Sequence, residues 1–257
     1  MNALYCETAG AGSPVVLVHG WGTHGGIWEP ARDTLAANHG LYIPDLPGHG
    51  RSRDVGAPSL DALTVSLEAI APKRAVWIGW SLGGLAALGI ALRAPQQVKA
   101  LVLIAVTPCF VQTRDWLSAM PASTFEEFAR GLHQDFRATL SRFLALQVGH
   151  GEAERAMLRN LRSSLFEHGD PSPAGLAGGL NILRDTDLRA DLPTIDLPVL
   201  VVHGARDRIA PVAAAEAMAA RLPQAELVLV PDAGHAPQLS HWPAVAPVLV
   251  RFLASHG

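Results

Sequence analysis

The stretch from Ala75 to Leu88, AVWIGWSLGGLAAL, limits the possible folds of this chain more than any other. Four apolar residues, Ala75-Val76-Trp77-Ile78, run into Gly79-Trp80-Ser81-Leu82-Gly83, and an Ala- and Leu-rich segment of helical character follows. The reading is strand, sharp turn, helix, with a serine at the apex. The pattern G-x-S-x-G suits a turn that lifts a serine hydroxyl above the end of a sheet, and it needs small residues two before and two after that serine. Gly84 lets the start of the helix pack closely. Taken alone, the pentapeptide also fits an ordinary strand-to-helix turn, so the rest of the chain must supply partners.

The surroundings supply a frame. Pro14 to Val18, Leu41 to Ile43, Val98 to Val106, Leu197 to Gly204 and Ala225 to Val230 read as strands, most of them solid apolar runs. Helical patterns cover Trp28 to Ala37, Ser59 to Ile70 with Ser59 as N-cap, Val212 to Leu222 and Pro243 to Ser255. Strands that alternate with helices predict an α/β fold, a mostly parallel sheet with helices on both faces. From Val111 to Arg189 no buried-strand run occurs. Thr124 to Gln147, Glu152 to Phe166 and a Gly-rich piece near Gly175 to Leu183 are helical in pattern. The expected organisation is a core of residues 1–110 and 190–257 with a helical insertion at 111–189.

At 257 residues and 49% apolar, the chain can bury one core with an insertion and is not disordered. A net charge of −3 argues against general nucleic-acid binding. Cys6 and Cys109 show no metal spacing; they could bridge each other, but the preferred reading is two reduced buried thiols. The first residues lack a basic and then apolar leader, and no apolar run reaches membrane-spanning length. A cytoplasmic monomer without a membrane or nucleic-acid partner is the expectation.

A serine hydroxyl is a weak nucleophile at neutral pH and needs a base, which in turn needs an orienting acid. The expected order along such a chain is serine, acid, histidine. Asp207 follows the late strand that ends in His203-Gly204, and His235 follows the last strand, both at the sheet edge where open α/β sheets gather ligands. Asp232 is a rival acid, at a spacing better suited to a local turn. His203 is the strongest competing histidine, but it precedes the acid. An oxyanion requires two aimed donors. The Leu82 N–H is one candidate and the Trp21 N–H, in His19-Gly20-Trp21-Gly22, is the other. His19 is expected to hydrogen-bond within its loop. Trp21 and Trp80 either wall an acyl pocket or pack in the core. Asp45 to Ser52, DLPGHGRS, is dense in turn formers and holds an arginine able to pair with Asp45, so it reads as structural.

Together HGWG at 19–22, DLPGHGRS at 45–52, GWSLGG at 79–84, HGARD at 203–207 and DAGHAP at 232–237 resemble the α/β-hydrolase family. The resemblance implies an acyl-enzyme mechanism with no metal and no organic cofactor, in which Ser81, Asp207 and His235 act as nucleophile, acid and base. It also implies that the helical insertion is a lid.

The resemblance extends further, through LPGHGRSR, VWIGWSLGGL, TPCF at 107–110 and RFLALQ at 142–147, to the branch that cleaves the methyl ester of pimeloyl-acyl-carrier protein in biotin synthesis. This implies a substrate channel bordered by Phe143, Leu144, Ala145, Leu146 and Gln147. It implies that Arg142, Arg155 and Arg159 meet an acidic acyl-carrier protein, with Arg137 and Arg162 as further candidates. Arg155, Arg159 and Arg162 share one helix face by spacing, and such a face can equally be solvated. The apolar residues of RFLALQ can likewise be helical core. A broad short-chain carboxylesterase with no carrier partner is the rival reading, and a ligand-binding module without turnover is a third.

Overall fold

The computed structural model describes residues 3–56, 59–147 and 166–257, and the side chains of all of these except residues 133, 136, 143, 144, 146 and 147. Seven strands form one sheet: β1 (Cys6–Ala9), β2 (Ser13–Val18), β3 (His39–Pro44), β4 (Ala75–Trp80), β5 (Val98–Ile104), β6 (Val199–Gly204) and β7 (Ala225–Val230). Their spatial order is β1-β3-β2-β4-β5-β6-β7. Only the β1–β3 pair is antiparallel. The order reverses between β2 and β4, and open parallel sheets place their sites beside such a reversal, at the C-terminal ends of the strands.

Alternation along the central strands divides the core. Val15 and Leu17 join one apolar cluster and Val16 and Val18 the other, as a period of two requires. Helices α1 (Glu29–Leu35) and α9 (Trp242–His256) cover the first face through Leu35, Leu249 and Phe252. Helices α2 (Leu60–Glu68), α3 (Leu82–Arg93) and α7 (Val212–Ala219) cover the second through Leu67, Leu88 and Met218. Ser59 caps α2 as expected, its hydroxyl accepting from the Ala62 N–H. Among the described residues no helix is long and apolar enough to cross a membrane.

Two expectations change. β1 was not foreseen: it is a four-residue edge strand of sequence CETA, short and without an apolar run. The helix expected over Thr124 to Gln147 is two helices, α4 (Ala122–Gln134) and α5 (Phe136–Gln147). Asp135 separates them in an extended conformation, and its carboxylate accepts from the Ala138 N–H to start the second helix. Next described is α6 (Pro173–Asp185), capped by Ser172. The helix expected over Glu152 to Phe166 lies, except for Phe166, outside the described residues. Cys109 and Asp187 form an antiparallel bridge, and the Leu188 N–H donates to Pro108 O at 2.9 Å. The chain thus leaves and rejoins the sheet region at one point. A short α8 (Pro237–Ser240) precedes α9.

Candidate active site

Ser81 stands between β4 and α3 with φ 53° and ψ −118°. A non-glycine residue at positive φ is costly and persists only where its surroundings impose it. Here the imposition is steric. A Cβ at Gly79 would lie 2.4 Å from Gly83 O, and one at Gly83 would lie 2.3 Å from Val18 O. One at Gly84 would meet Val106 Cγ2 at 2.1 Å. The glycines let α3 start directly against the sheet, and the serine turns outward.

Asp207 lies three residues past β6 and His235 five past β7, so both loops open at the same edge as Ser81. His235 Nδ1–H donates to Asp207 Oδ2 at 2.7 Å. His235 Nε2 accepts from the Ser81 hydroxyl at 3.0 Å. The carboxylate fixes the tautomer, because an ionised acid at Nδ1 leaves the lone pair on Nε2. Asp207 Oδ1 accepts from the N–H groups of Ile209 and Ala210 at 2.8 and 2.9 Å. Burial pushes the Asp207 carboxyl up, but His235, His203 and the backbone donors outweigh it and hold it below its ordinary value. Trp80 Nε1–H donates to His235 O at 2.8 Å and holds the histidine loop from beneath.

The competing residues fall elsewhere. Asp232 sits at φ 62° and pairs with Arg206 at the exposed rim. His203 is buried, donates from Nε2 to Ala210 O at 2.9 Å, and lies 3.3 Å from Asp207 Oδ2. It approaches the same carboxylate oxygen that receives His235, and burial holds its ring below the ordinary histidine range.

Trp21 and Trp80 are both buried. The Trp21 ring meets Phe128 of α4 edge to face at 5.3 Å, and its Nε1–H donates to Leu176 O of α6 at 2.9 Å. Leu82 is the first residue of α3, where a helix N–H has no acceptor one turn back. DLPGHGRS is engaged with its neighbours: Arg51 donates from its backbone N–H and from Nε to Asp45 Oδ2, both at 2.9 Å. His19 bonds within its own loop, Nδ1–H to Gly20 O at 2.8 Å, but its Nε2 also takes the Leu46 N–H from DLPGHGRS at 2.8 Å. That second bond links the His19 loop to DLPGHGRS, 27 residues away.

In the insertion, Phe143 to Gln147 lie in the last turns of α5, with only the Ala145 side chain described. Arg142 is exposed and reaches Thr139 Oγ1 at 3.4 Å. Arg137 pairs with Asp170 at 2.7 Å. Arg155, Arg159 and Arg162 lie outside the described residues. Cys6 and Cys109 are free thiols. Among the described residues no group of His, Cys, Asp or Glu could hold a metal ion.

Comparison with known proteins bears on the fold and the family. The alpha/beta hydrolase fold family matches residues 13–241. A pimeloyl-[acyl-carrier protein] methyl ester esterase from Nitrosomonas europaea is 45% identical over 240 residues, covering 93% of this chain and 95% of that protein. One of the same name from Xanthomonas campestris pv. campestris is 43% identical over 252 residues, 98% of this chain and 99% of that one. Among solved structures, an esterase from Exiguobacterium antarcticum superposes with TM-score 0.88 at 23% identity, covering 98% of this chain and 95% of that one, a likeness of fold alone. A hydrolase from Pseudomonas aeruginosa superposes at 0.85 with 29% identity, covering 97% and 94%. With a family match over most of its length and relatives this similar from end to end, the chain belongs to the α/β-hydrolase family.

Proposed function

We propose that the protein is a serine carboxylesterase that hydrolyses the methyl ester of pimeloyl-[acyl-carrier protein] to the free acid and methanol in biotin biosynthesis. The observation that carries this reading is the 43–45% identity, over nearly the whole chain, to proteins of that name. The hydrogen-bonded line Ser81–His235–Asp207 supports the chemistry.

In this reading Ser81 Oγ attacks the ester carbonyl while His235 Nε2 takes its proton. The imidazolium stays against Asp207. The developing oxyanion is received by the N–H groups of Trp21 and Leu82, and losing one such donor typically costs on the order of 10²–10³ in kcat. Collapse breaks the acyl–oxygen bond, and His235 returns the proton to leaving methanol. Water, deprotonated by His235, then attacks the acyl-serine, and Ser81 recovers its proton as the acid is released. All three groups come from one chain, so the chemistry requires no second copy.

Residues 111–189 are assigned as a lid, and the bridge between Cys109 and Asp187 supports that division. Within RFLALQ, Phe143 to Gln147 are assigned to the border of the acyl and pantetheine channel. Carrier docking is assigned to Arg142, which is exposed, and to Arg155 and Arg159, which lie outside the described residues. The deciding experiment compares kcat/KM for pimeloyl-acyl-carrier-protein methyl ester with that for nitrophenyl butyrate, wild type beside Ser81→Ala. A strong preference for the carrier-linked ester that vanishes in Ser81→Ala supports the reading. Equal or better turnover of the simple ester leaves a general carboxylesterase.

A further inference from the structure

Two loops beside Ser81 are fastened to each other by side chains that the proposed chemistry does not consume. The first, His19 to Gly25, carries Trp21; the second is Asp45 to Ser52. Three bonds join them. The Leu46 N–H donates to His19 Nε2 at 2.8 Å, the Gly22 N–H to His49 Nε2 at 3.1 Å, and the Gly25 N–H to Asp45 Oδ1 at 2.7 Å.

These bonds bear on the peptides either side of Trp21. The Gly20–Trp21 peptide is trans, and Gly20 O accepts from His19 Nδ1–H at 2.8 Å and from the Thr23 hydroxyl at 2.9 Å. In a planar trans peptide the C=O and N–H point in opposite directions, so donors that hold this carbonyl also turn the Trp21 N–H the other way. The next peptide is held at its own N–H, where Gly22 donates to His49. Gly22 has φ 73°, in the left-handed region that favours glycine, and a Cβ there would also press on Leu140 Cδ2 at 2.6 Å.

His49 is set up to accept. Its Nδ1–H donates to Pro47 O at 2.9 Å, which leaves the Nε2 lone pair for Gly22. His49 lines a small space of about 10 Å³ together with Leu63 of α2, Leu82 of α3 and Ile182 of α6. The titratable groups facing the ring are His19, with ring centroids 5.6 Å apart, His24 and Asp45; α2, α3 and α6 present apolar residues and glycine.

We infer that His49 is a positioning residue of the oxyanion loop: by taking the Gly22 N–H at Nε2 it fixes the peptide after Trp21, and with it the direction of the Trp21 amide. The inference rests on the proposed role of that amide. It gives DLPGHGRS a part in turnover beyond shaping a turn.

The test is kinetic, with nitrophenyl butyrate as substrate and rates corrected for the folded fraction. His49→Phe keeps a planar ring but has no acceptor, whereas His49→Gln returns an amide oxygen near the place of Nε2. In His49→Phe kcat should fall about tenfold or more with KM held within about twofold, and His49→Gln should recover most of the loss. Wild-type kcat in His49→Phe, or a His49→Gln no better than His49→Phe, overturns the inference. If His49→Phe does not fold, His49→Leu, which also lacks an acceptor, takes its place, and an unchanged kcat there overturns it as well. Ser81→Ala separates the two layers. Activity surviving in Ser81→Ala defeats the hydrolytic reading itself, whereas an inactive Ser81→Ala beside an unimpaired His49→Phe defeats only the role of His49.

Discussion

Gly204 closes β6 at the point where the acid loop and the base loop come together. A methyl group there would lie 2.0 Å from Gly234 O and 2.5 Å from Ala233 O. Cβ atoms essentially never approach closer than 3.0 Å, so in Gly204→Ala one loop must withdraw by about 1 Å, the difference between 3.0 and 2.0 Å. Flexible side chains cannot absorb this, because both obstacles are backbone carbonyls. The loops are also tied backbone to backbone, Ala205 N–H to Val230 O at 3.0 Å and Arg206 N–H to Ala233 O at 2.9 Å. Adding that withdrawal to the 2.7 Å between His235 Nδ1 and Asp207 Oδ2 gives about 3.7 Å, which is no longer a hydrogen bond. The overpacking should cost about 1–3 kcal/mol. Release of the histidine from its acid should lower kcat by about 10²–10⁴. Urea unfolding and nitrophenyl butyrate hydrolysis by the same preparation measure both. A Gly204→Ala protein with an unchanged unfolding midpoint and kcat within about twofold of wild type would refute the reasoning.

Two further outcomes follow from residues already placed. Asp207→Asn should lose about 10⁴ in kcat, whereas Asp232→Asn breaks only an exposed pair with Arg206 and should leave kcat unchanged and cost under about 1 kcal/mol; a large kinetic loss in Asp232→Asn would reverse the assignment of the acid. Burial pushes His19 down to about 3 and His49 to about 4 from an ordinary 6.5. Both rings therefore stay neutral in the fold while the unfolded chain takes up protons below pH 6.5. Their contribution is complete above pH 6.5 and is lost as the pH falls toward 4, at up to about 1.4 kcal/mol per pH unit for each ring. His49→Gln removes one of these protons, so between pH 7 and 4.5 its urea midpoint should fall less than that of wild type, and an equal fall would count against the assignment.

The parallel strands and the serine turn were legible because their signals are local. An apolar run such as VLVVHG belongs in a doubly covered sheet whatever its neighbours, and glycines around Ser81 mark a turn that bulkier residues would forbid. The edge strand β1 carries no such signal, since CETA pairs on one side only and its side chains are mostly half-buried. The break at Asp135 was missed because the helical pattern runs through it; an aspartate followed three residues later by the amide it caps was the available clue. His49 was hidden for a different reason. Turn composition explains a histidine between two glycines, and only the approach of a loop 27 residues away reveals what its nitrogen accepts.

Trp21 is gripped at both ends. Its backbone lies in the loop that His49 and Thr23 hold, and its indole is bonded to Leu176 O of α6. A Cβ at Gly179 would sit 2.5 Å from the indole Cδ1, so α6 lies hard against the ring. One side chain therefore works as a lever between that helix and the amide at its own root. A shift of α6 is therefore felt, through this one side chain, by the loop whose amide is the proposed oxyanion donor.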